Sequence, residues 1–461
     1  MEARDLAFVV SAGAGELLGG SPALAFRRIC TDSRQLQAGD LFFAIKGERF
    51  DGHDFLDVAA AKGAVAAVCE RRRSPVKLPA CPVILVEDVR QALGLVAAAY
   101  RNEFALPVVA VGGSNGKTST KELIAAVLRE AFKLLWSKAS FNNDIGVPTT
   151  LLELEREHQA AVIEVGTNHP GELAPLVKLI RPKHGVITTI GREHLEFFGD
   201  VAGVAQEEGW LAELLPADGI LFVNGDNEWT DLLVKRTQAA VVRCGLGQGN
   251  LWRAWDVRMD ERGTSFQVDA PVPDYGGEWR INLFGRHQVV NTLFAIAVGQ
   301  KLGVSPTATR TGLAGCKPAK MRLQFWETSG VRILDDTYNA NADSMLAALL
   351  VLRDLPCKGR RVAVLGDMAE LGAHSEAAHE EVGRQAALNG VSQLFAVGRM
   401  ASVLARGARA AGLARVIELA DVSVACGALK SFLRPGDVVL LKASRASRLE
   451  QIAEVFREPQ A

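Results

Sequence analysis

Gly112-Gly113-Ser114-Asn115-Gly116-Lys117-Thr118 follows directly on a short apolar run, Val108-Val109-Ala110-Val111. Leu123, Ile124, Val127 and Leu128 come next at helical spacing, so the segment reads as a buried strand, a tight turn and an amphipathic helix. A strand of this kind feeding a helix is the unit of a parallel sheet covered on both faces. The turn is chemically specific too. Its glycines let backbone N–H groups approach phosphates, the helix N-terminus favours anions, Lys117 can reach terminal phosphates, and the Thr118 hydroxyl can ligate Mg²⁺. A P-loop usually carries four residues between its first glycine and the Gly-Lys pair; that first position is Val111 here, which makes the loop a variant. A glycine-rich turn can also be geometry alone, and the rest of the chain has to decide.

Apolar runs recur at 160–165, 185–190 and 220–223, and again at 333–334, 362–365, 394–397 and 438–441, separated by segments that can be helical. The pattern predicts an α/β protein with mainly parallel sheets. At 461 residues, and with roughly 150 residues per domain, three domains are expected. The pattern changes place them at 1–105, 106–316 and 317–461, with Lys317-Pro318-Ala319-Lys320 as the second linker. The first is mixed α/β, with a strand at 41–45 and a loop at 75–82.

Lys plus Arg number 52 against 53 Asp plus Glu, a balance that creates no field for a polyanion or an acidic membrane. The seven cysteines are scattered and never form a CxxC or a Cys/His cluster, as expected of small core residues in a reducing compartment. No run approaches the roughly 18 apolar residues of a spanning helix, and a cytoplasmic protein is expected.

Two further positions stand at strand ends, where ligands of parallel sheets bind. Glu164 ends Ala161-Val162-Ile163-Glu164 and is a candidate metal ligand; its bland reading is an exposed strand-end carboxylate. His194 lies in Gly191-Arg192-Glu193-His194 after a strand expected to run through Thr188-Thr189-Ile190. A lone histidine is more often a structural hydrogen-bonding residue than a ligand.

Three later clusters decide between these readings: Gly285-Arg286-His287-Gln288-Val289-Val290-Asn291, Lys320-Met321-Arg322-Leu323-Gln324, and Asp335-Asp336-Thr337-Tyr338-Asn339-Ala340-Asn341-Ala342-Asp343-Ser344. With them the chain resembles the Mur ligases, ATP-dependent enzymes of peptidoglycan precursor synthesis. Thr31-Asp32-Ser33-Arg34, residues 46–53, Phe141-Asn142-Asn143-Asp144 and Lys442-Ala443-Ser444-Arg445 extend the likeness over nearly the whole chain. The Asp-Thr-Tyr-Asn-Ala-Asn run suits the member that adds D-alanyl-D-alanine to UDP-N-acetylmuramoyl-tripeptide; the Asp-Asn-Pro motif of the ligase adding the preceding residue is absent from the sequence.

The resemblance implies an α/β UDP-binding domain, a central P-loop ATPase domain with a parallel sheet, and a C-terminal Rossmann-like domain closing over the site, in a monomer. It implies ATP and Mg²⁺ as cofactors. Gly113, Ser114, Asn115, Gly116, Lys117, Thr118 and Ser119, with Asn291, Arg322, Asp336 and Asn339, would surround the nucleotide. Lys117, Glu164 and His194 would serve catalysis, Glu164 and His194 as metal ligands alongside Thr118. Ser33, Arg34, Lys46 and Asn143 would lie on the UDP-sugar-peptide side.

Several positions depart from the family pattern. Gly112 stands for Thr, Ala342 for Pro, and Ala443 for Gly, the last at a cost if its backbone needs positive φ. In Ala205-Gln206-Glu207-Glu208-Gly209 the family usually has a lysine that CO₂ carbamoylates to make a metal-binding carboxylate, and Glu208 occupies that position. Glu208 is expected to supply the metal-site carboxylate itself, across a bridging water or an inward shift of its helix because it is shorter than a carbamoylated lysine; a solvated helix face is the other reading. Alternatives for the whole chain are another Mur-type or folylpolyglutamate-type ligase, or a P-loop nucleotide switch.

Overall fold

The computed structural model describes residues 1–75 and 77–457. Val76, in the loop expected at 75–82, and residues 458–461, at the end of the expected third domain, lie outside the described residues. The chain forms two compact units: Met1–Ala110, Phe132–Thr167 and Glu172–His184 make the first, and Val111–Ala131, Asn168–Gly171 and Gly185–Ala461 the second.

In the first unit a five-stranded sheet runs Glu16–Leu18, Val83–Val86, Ala66–Glu70, Leu41–Phe43, Ile29–Cys30. Only the Glu16–Leu18 pairing is antiparallel. Every residue of Ala66–Glu70 and Val83–Val86 is buried, as central parallel strands covered on both faces require. The strand expected over 41–45 stops at Phe43, because the Ile45 N–H turns back to the Phe43 carbonyl and the Ile45 carbonyl accepts from Gly52. Helix Val89–Arg101 begins where the Asp88 side chain accepts the Gln91 N–H. Its buried stripe of Leu93, Val96, Ala97 and Tyr100 has the 3–4 residue spacing of a core-facing helix. The Tyr100 hydroxyl at its foot donates to the Leu154 carbonyl at 2.7 Å.

The strand Val108–Gly112 leads from the first unit into the second. There helix Lys117–Leu128 packs against helices Arg286–Lys301 and Pro306–Gly315. Strands Ile220–Asn224, Ala240–Gly245 and Trp252–Asp260 are parallel neighbours. The chain then departs from the parallel expectation: Trp252–Asp260, Gly263–Asp269 and Gly277–Ile281 form an antiparallel meander. These strands face solvent on one side, so they lack the continuous apolar runs that betray buried parallel strands.

The C-terminal part of the second unit is a six-stranded sheet, ordered Gln324–Thr328, Val331–Asp335, Val438–Lys442, Arg361–Gly366, Gln393–Val397, Val416–Leu419. All its pairings are parallel except the first hairpin. Alternation sorts its core: Ala363, Leu365 and Leu440 join helix Ala342–Asp354 on one face, and Val362, Val364, Val439 and Leu441 join Ala425 and Ile452 on the other. Among the described residues no helix is long and apolar enough to cross a membrane.

Candidate functional site

The turn after Val108–Gly112 can be built only with glycine at two positions. Gly113 sits at φ +110°, where an added Cβ would lie 2.5 Å from Thr188 Oγ1, and Gly116 at φ +87°, with Asn291 Oδ1 at 2.9 Å from such a Cβ. Gly116→Ala is therefore expected to destabilise the fold by about 1–2 kcal/mol and to weaken nucleotide binding at least tenfold, measurable by thermal unfolding and by titration with ADP. The strand expected to reach Ile190 ends at Ile187. Thr188 instead turns its hydroxyl onto the Gly112 and Asn115 carbonyls, at 3.1 and 2.6 Å, and the Ser114 N–H donates to Thr189 at 2.7 Å. These bonds clasp the loop from behind and leave its helix N-terminus to Lys117 and Thr118.

Lys117 Nζ donates to the carbonyls of Gly113 and Ser114, at 2.5 and 3.2 Å, and lies 3.4 Å from Glu193 Oε2. Thr118 is buried and Ser119 half-buried on the first helical turn. Asn291 is buried behind Gly116 and donates to Gln288 Oε1. Asn115 Oδ1 accepts from Asn341 Nδ2 at 3.0 Å, while its own Nδ2 is buried with no hydrogen-bond partner.

Facing this loop is a pair of carboxylates. Helix Val201–Glu213, capped by Asp200, buries both Glu207 and Glu208, the latter at 0% exposure, which excludes a solvated face for Glu208. Its Oε2 accepts the Gly113 N–H at 2.7 Å, and its Oε1 has no hydrogen-bond partner. Burial pushes the Glu208 carboxyl up to about 7, helped by the charges of Glu193 and Glu207 and opposed by Lys117 and the Gly113 N–H. Glu193 is raised by burial against the pull of Lys117 and His194. His194, in the left-handed region at φ +48°, is held by Glu370 Oε2 at 2.6 Å from its Nδ1. Glu193 escapes sequence reading because it lies beside a more conspicuous histidine; the signal was its own position after a strand end.

On the C-terminal layer, Asp336 Oδ1 accepts the Leu323 N–H and its Oδ2 pairs with Lys442 Nζ at 2.5 Å. Lys442, 2% exposed, also donates to the Asn339 carbonyl. Its long buried side chain fixes the Asp336–Asn339 turn, a role that its strand-end position could have suggested. Arg322 lies over the Tyr338 ring, 4.2 Å from the centroid. Nearby, burial lowers the His287 imidazole to about 4, with Lys442 adding to the shift and Asp336 opposing it, so it is neutral at pH 7. Ala443 is absent from the positive-φ residues, so alanine costs nothing there. Ala342 opens a helix behind the Asn341 cap, a position that suits proline and alanine alike.

The remaining sequence-derived residues belong to the first unit. Glu164 is 1% exposed, which removes the bland reading, and its Oε1 accepts from Asn142 at 2.9 Å. Asn143 Oδ1 accepts the Gly146 N–H at 2.9 Å, at the start of helix Gly146–Leu151. Ser33 offers its carbonyl to Lys62. Arg34 is an exposed guanidinium whose hydrogen bonds hold Asp32 down to about 2. Lys46 is exposed in a loop braced by Arg90.

Residues 26–101 match the domain described as the Mur ligase family catalytic domain, 111–299 the Mur ligase middle domain, and 321–445 the Mur ligase glutamate ligase domain. The chain belongs to the Mur ligase family. It is 38% identical over 451 residues to the UDP-N-acetylmuramoyl-tripeptide–D-alanyl-D-alanine ligase of Escherichia coli, covering 96% of each chain. The Bacillus subtilis enzyme of that name is 36% identical, covering 92% of each. Among solved structures, a MurF from Acinetobacter baumannii matches at TM-score 0.90 and 31% identity, over 99% of this chain and 100% of that one. MurF ligase from Thermotoga maritima in complex with ADP matches at TM-score 0.81 and 29% identity, over 93% of this chain and 97% of that one.

The second unit of this Mur ligase offers hard donors suited to Mg²⁺: the Thr118 hydroxyl and the Glu208 carboxylate, whose buried Oε1 lacks a partner. Among the described residues no group of three or more His, Cys, Asp or Glu is arranged to hold a metal ion.

Proposed function

We propose that this Mur ligase joins D-alanyl-D-alanine to UDP-N-acetylmuramoyl-tripeptide at the expense of ATP, in the cytoplasm, as a monomer. The observation that carries the reading is Lys117 seated at the P-loop helix N-terminus opposite Glu193 and Glu208, in a chain that matches ligases of that name over 96 and 92% of its length. Residues 1–105 would bind the UDP-substrate, 106–316 the ATP, and 317–461 would form the Rossmann-like domain bringing Arg322, Asp336 and Asn339 to the nucleotide.

A carboxylate is a poor acyl donor, so the tripeptide carboxylate first takes the terminal phosphoryl group of ATP, and the dipeptide amine then displaces phosphate from the acyl phosphate. Negative charge gathers on phosphoryl and carbonyl oxygens. Lys117 would leave its own loop carbonyls for the terminal phosphate, while the N–H groups of residues 115–119 and the Asn115 side-chain amide would orient the phosphates on the loop that Gly113 and Ser114 shape. Thr118, His194 and Glu208 would hold Mg²⁺, whose positive charge would offset that build-up. Asn291 would support the loop from behind, and Ser33, Arg34, Lys46 and Asn143 would hold the UDP-sugar-peptide. No protein nucleophile is needed; Cys69 and Cys244 are buried and their thiols are pushed up by desolvation.

The test is incubation with ATP, Mg²⁺, D-alanyl-D-alanine and UDP-tripeptides bearing meso-diaminopimelate or lysine. The expected result is a UDP-pentapeptide mass and ADP release that requires the dipeptide. ADP release indifferent to the dipeptide would favour a nucleotide switch.

A further inference from the structure

Within the second unit, the loop that carries Glu193 and His194 meets the C-terminal layer at His194, held by Glu370, and at Arg192, whose grip is the more extensive. Its backbone N–H donates to Asp343 Oδ2 at 2.7 Å, its Nε to Asp343 Oδ1 at 2.7 Å, and its Nη1 to Glu381 Oε2 at 2.6 Å. Asp343 stands in the first turn of helix Ala342–Asp354, whose cap Asn341 reaches the P-loop tip at Asn115. Glu381 lies on the neighbouring helix Ser375–Leu388. One helix N-terminus thus touches both the P-loop and the loop that faces Lys117. Gly191 completes the circuit, because its N–H donates to Ser114 Oγ at 2.9 Å. The side chains of Arg192, Asp343 and Glu381 are 30, 35 and 28% exposed, so the clamp is neither a core contact nor a freely solvated pair.

We propose that Arg192 is a positioning residue: clamped between Asp343 and Glu381, it locks the C-terminal layer onto the nucleotide loop and sets Glu193 against Lys117. Arg192 itself touches no substrate in this scheme. A planar guanidinium is suited to the task, because its fork engages two carboxylates on two helices at fixed angles, which an ammonium does not reproduce. A displacement of even 1 Å at a reacting centre can cost about 10²-fold in rate, so the clamp acts on turnover rather than on ground-state affinity. The inference rests on the ligase reading above, and its test carries one arm that does not.

That arm is hydrogen exchange of the free protein. Asp343→Ala removes the acceptor of the Arg192 N–H, and peptides covering residues 189–196 are expected to exchange at least tenfold faster, as they should in Glu381→Gln to a smaller degree. The other arm is kinetic. Arg192→Ala is expected to lower kcat about tenfold or more while ADP affinity changes by less than about threefold, with partial rescue in Arg192→Lys. Asp343→Ala combined with Arg192→Ala should be no slower than the worse single variant, the signature of one shared interaction. Unchanged exchange in Asp343→Ala and Glu381→Gln, or kcat losses that simply multiply in the double variant, would overturn the clamp. A wild-type protein without dipeptide-dependent ADP release, but with the exchange result intact, would overturn the ligase reading and leave the clamp standing.

Discussion

Changing Lys117 to alanine is expected to lower dipeptide-dependent ADP release by about 10²–10³-fold, the loss typical of removing one preorganised electrostatic stabiliser of a transition state. In the free protein Nζ is parked on the Gly113 and Ser114 carbonyls and beside Glu193, so the cation is already at the helix N-terminus before nucleotide arrives. The same variant strands Glu193, a carboxylate 6% exposed whose charged form Lys117 supports. Breaking a buried pair from one side is destabilising, and a rate loss alone would be ambiguous. Glu193→Gln added to Lys117→Ala separates the two effects. The double variant is expected to recover the unfolding temperature and not the rate. A double variant that recovers turnover would remove Lys117 from the chemistry.

The parts of the fold legible in the sequence are those with two-sided burial. Val362-Ala363-Val364-Leu365 and Val438 to Leu441 announce themselves as continuous apolar runs because both sheet faces are covered, with alternate residues feeding opposite cores. The meander from Trp252 to Ile281 gives no such run; Trp255 is 44% exposed and its neighbours alternate with solvent. The candidate site was legible where a backbone geometry demands a residue type, as at Gly113 and Gly116. It was opaque where long-range packing decides. Arg192, Glu193, Glu370 and Lys442 look like ordinary surface charges in sequence, because their partners lie 76 to 189 positions away; what joins them is the approach of Asp343, Glu381, Lys117, His194 and Asp336 in space.

On its proposed role, in which it would supply the carboxylate that the family resemblance otherwise assigns to a carbamoylated lysine, Glu208 should make this enzyme indifferent to the removal of CO₂ and bicarbonate. Glu208→Ala should raise the Mg²⁺ concentration needed for half-maximal activity by about tenfold or more, the scale of losing a stabilising ligand contact. Its reach is shorter than that of a carbamoylated lysine, and a bridging water can span the difference. The free protein gives a readout that needs no turnover. Burial raises this carboxyl from 4.5 to about 7, so below about pH 4.5 it is protonated in both folded and unfolded chains and has no effect on stability. Between 4.5 and 7 the unfolded chain loses the proton first, and stability falls as pH rises, by a total of about 3 kcal/mol above pH 7. Glu208→Gln keeps an oxygen for the Gly113 N–H and removes that titration, so it should unfold at a higher temperature than wild type at pH 8 and at the same temperature near pH 4.5. Mg²⁺ with ADP should then stabilise wild type more than the glutamine variant at pH 8, because a cation binds the ionised carboxylate and not the amide. Equal stabilisation of the two by Mg²⁺ and ADP, with an unchanged Mg²⁺ requirement in Glu208→Ala, would sink the assignment and leave the cation to Thr118, His194 and water.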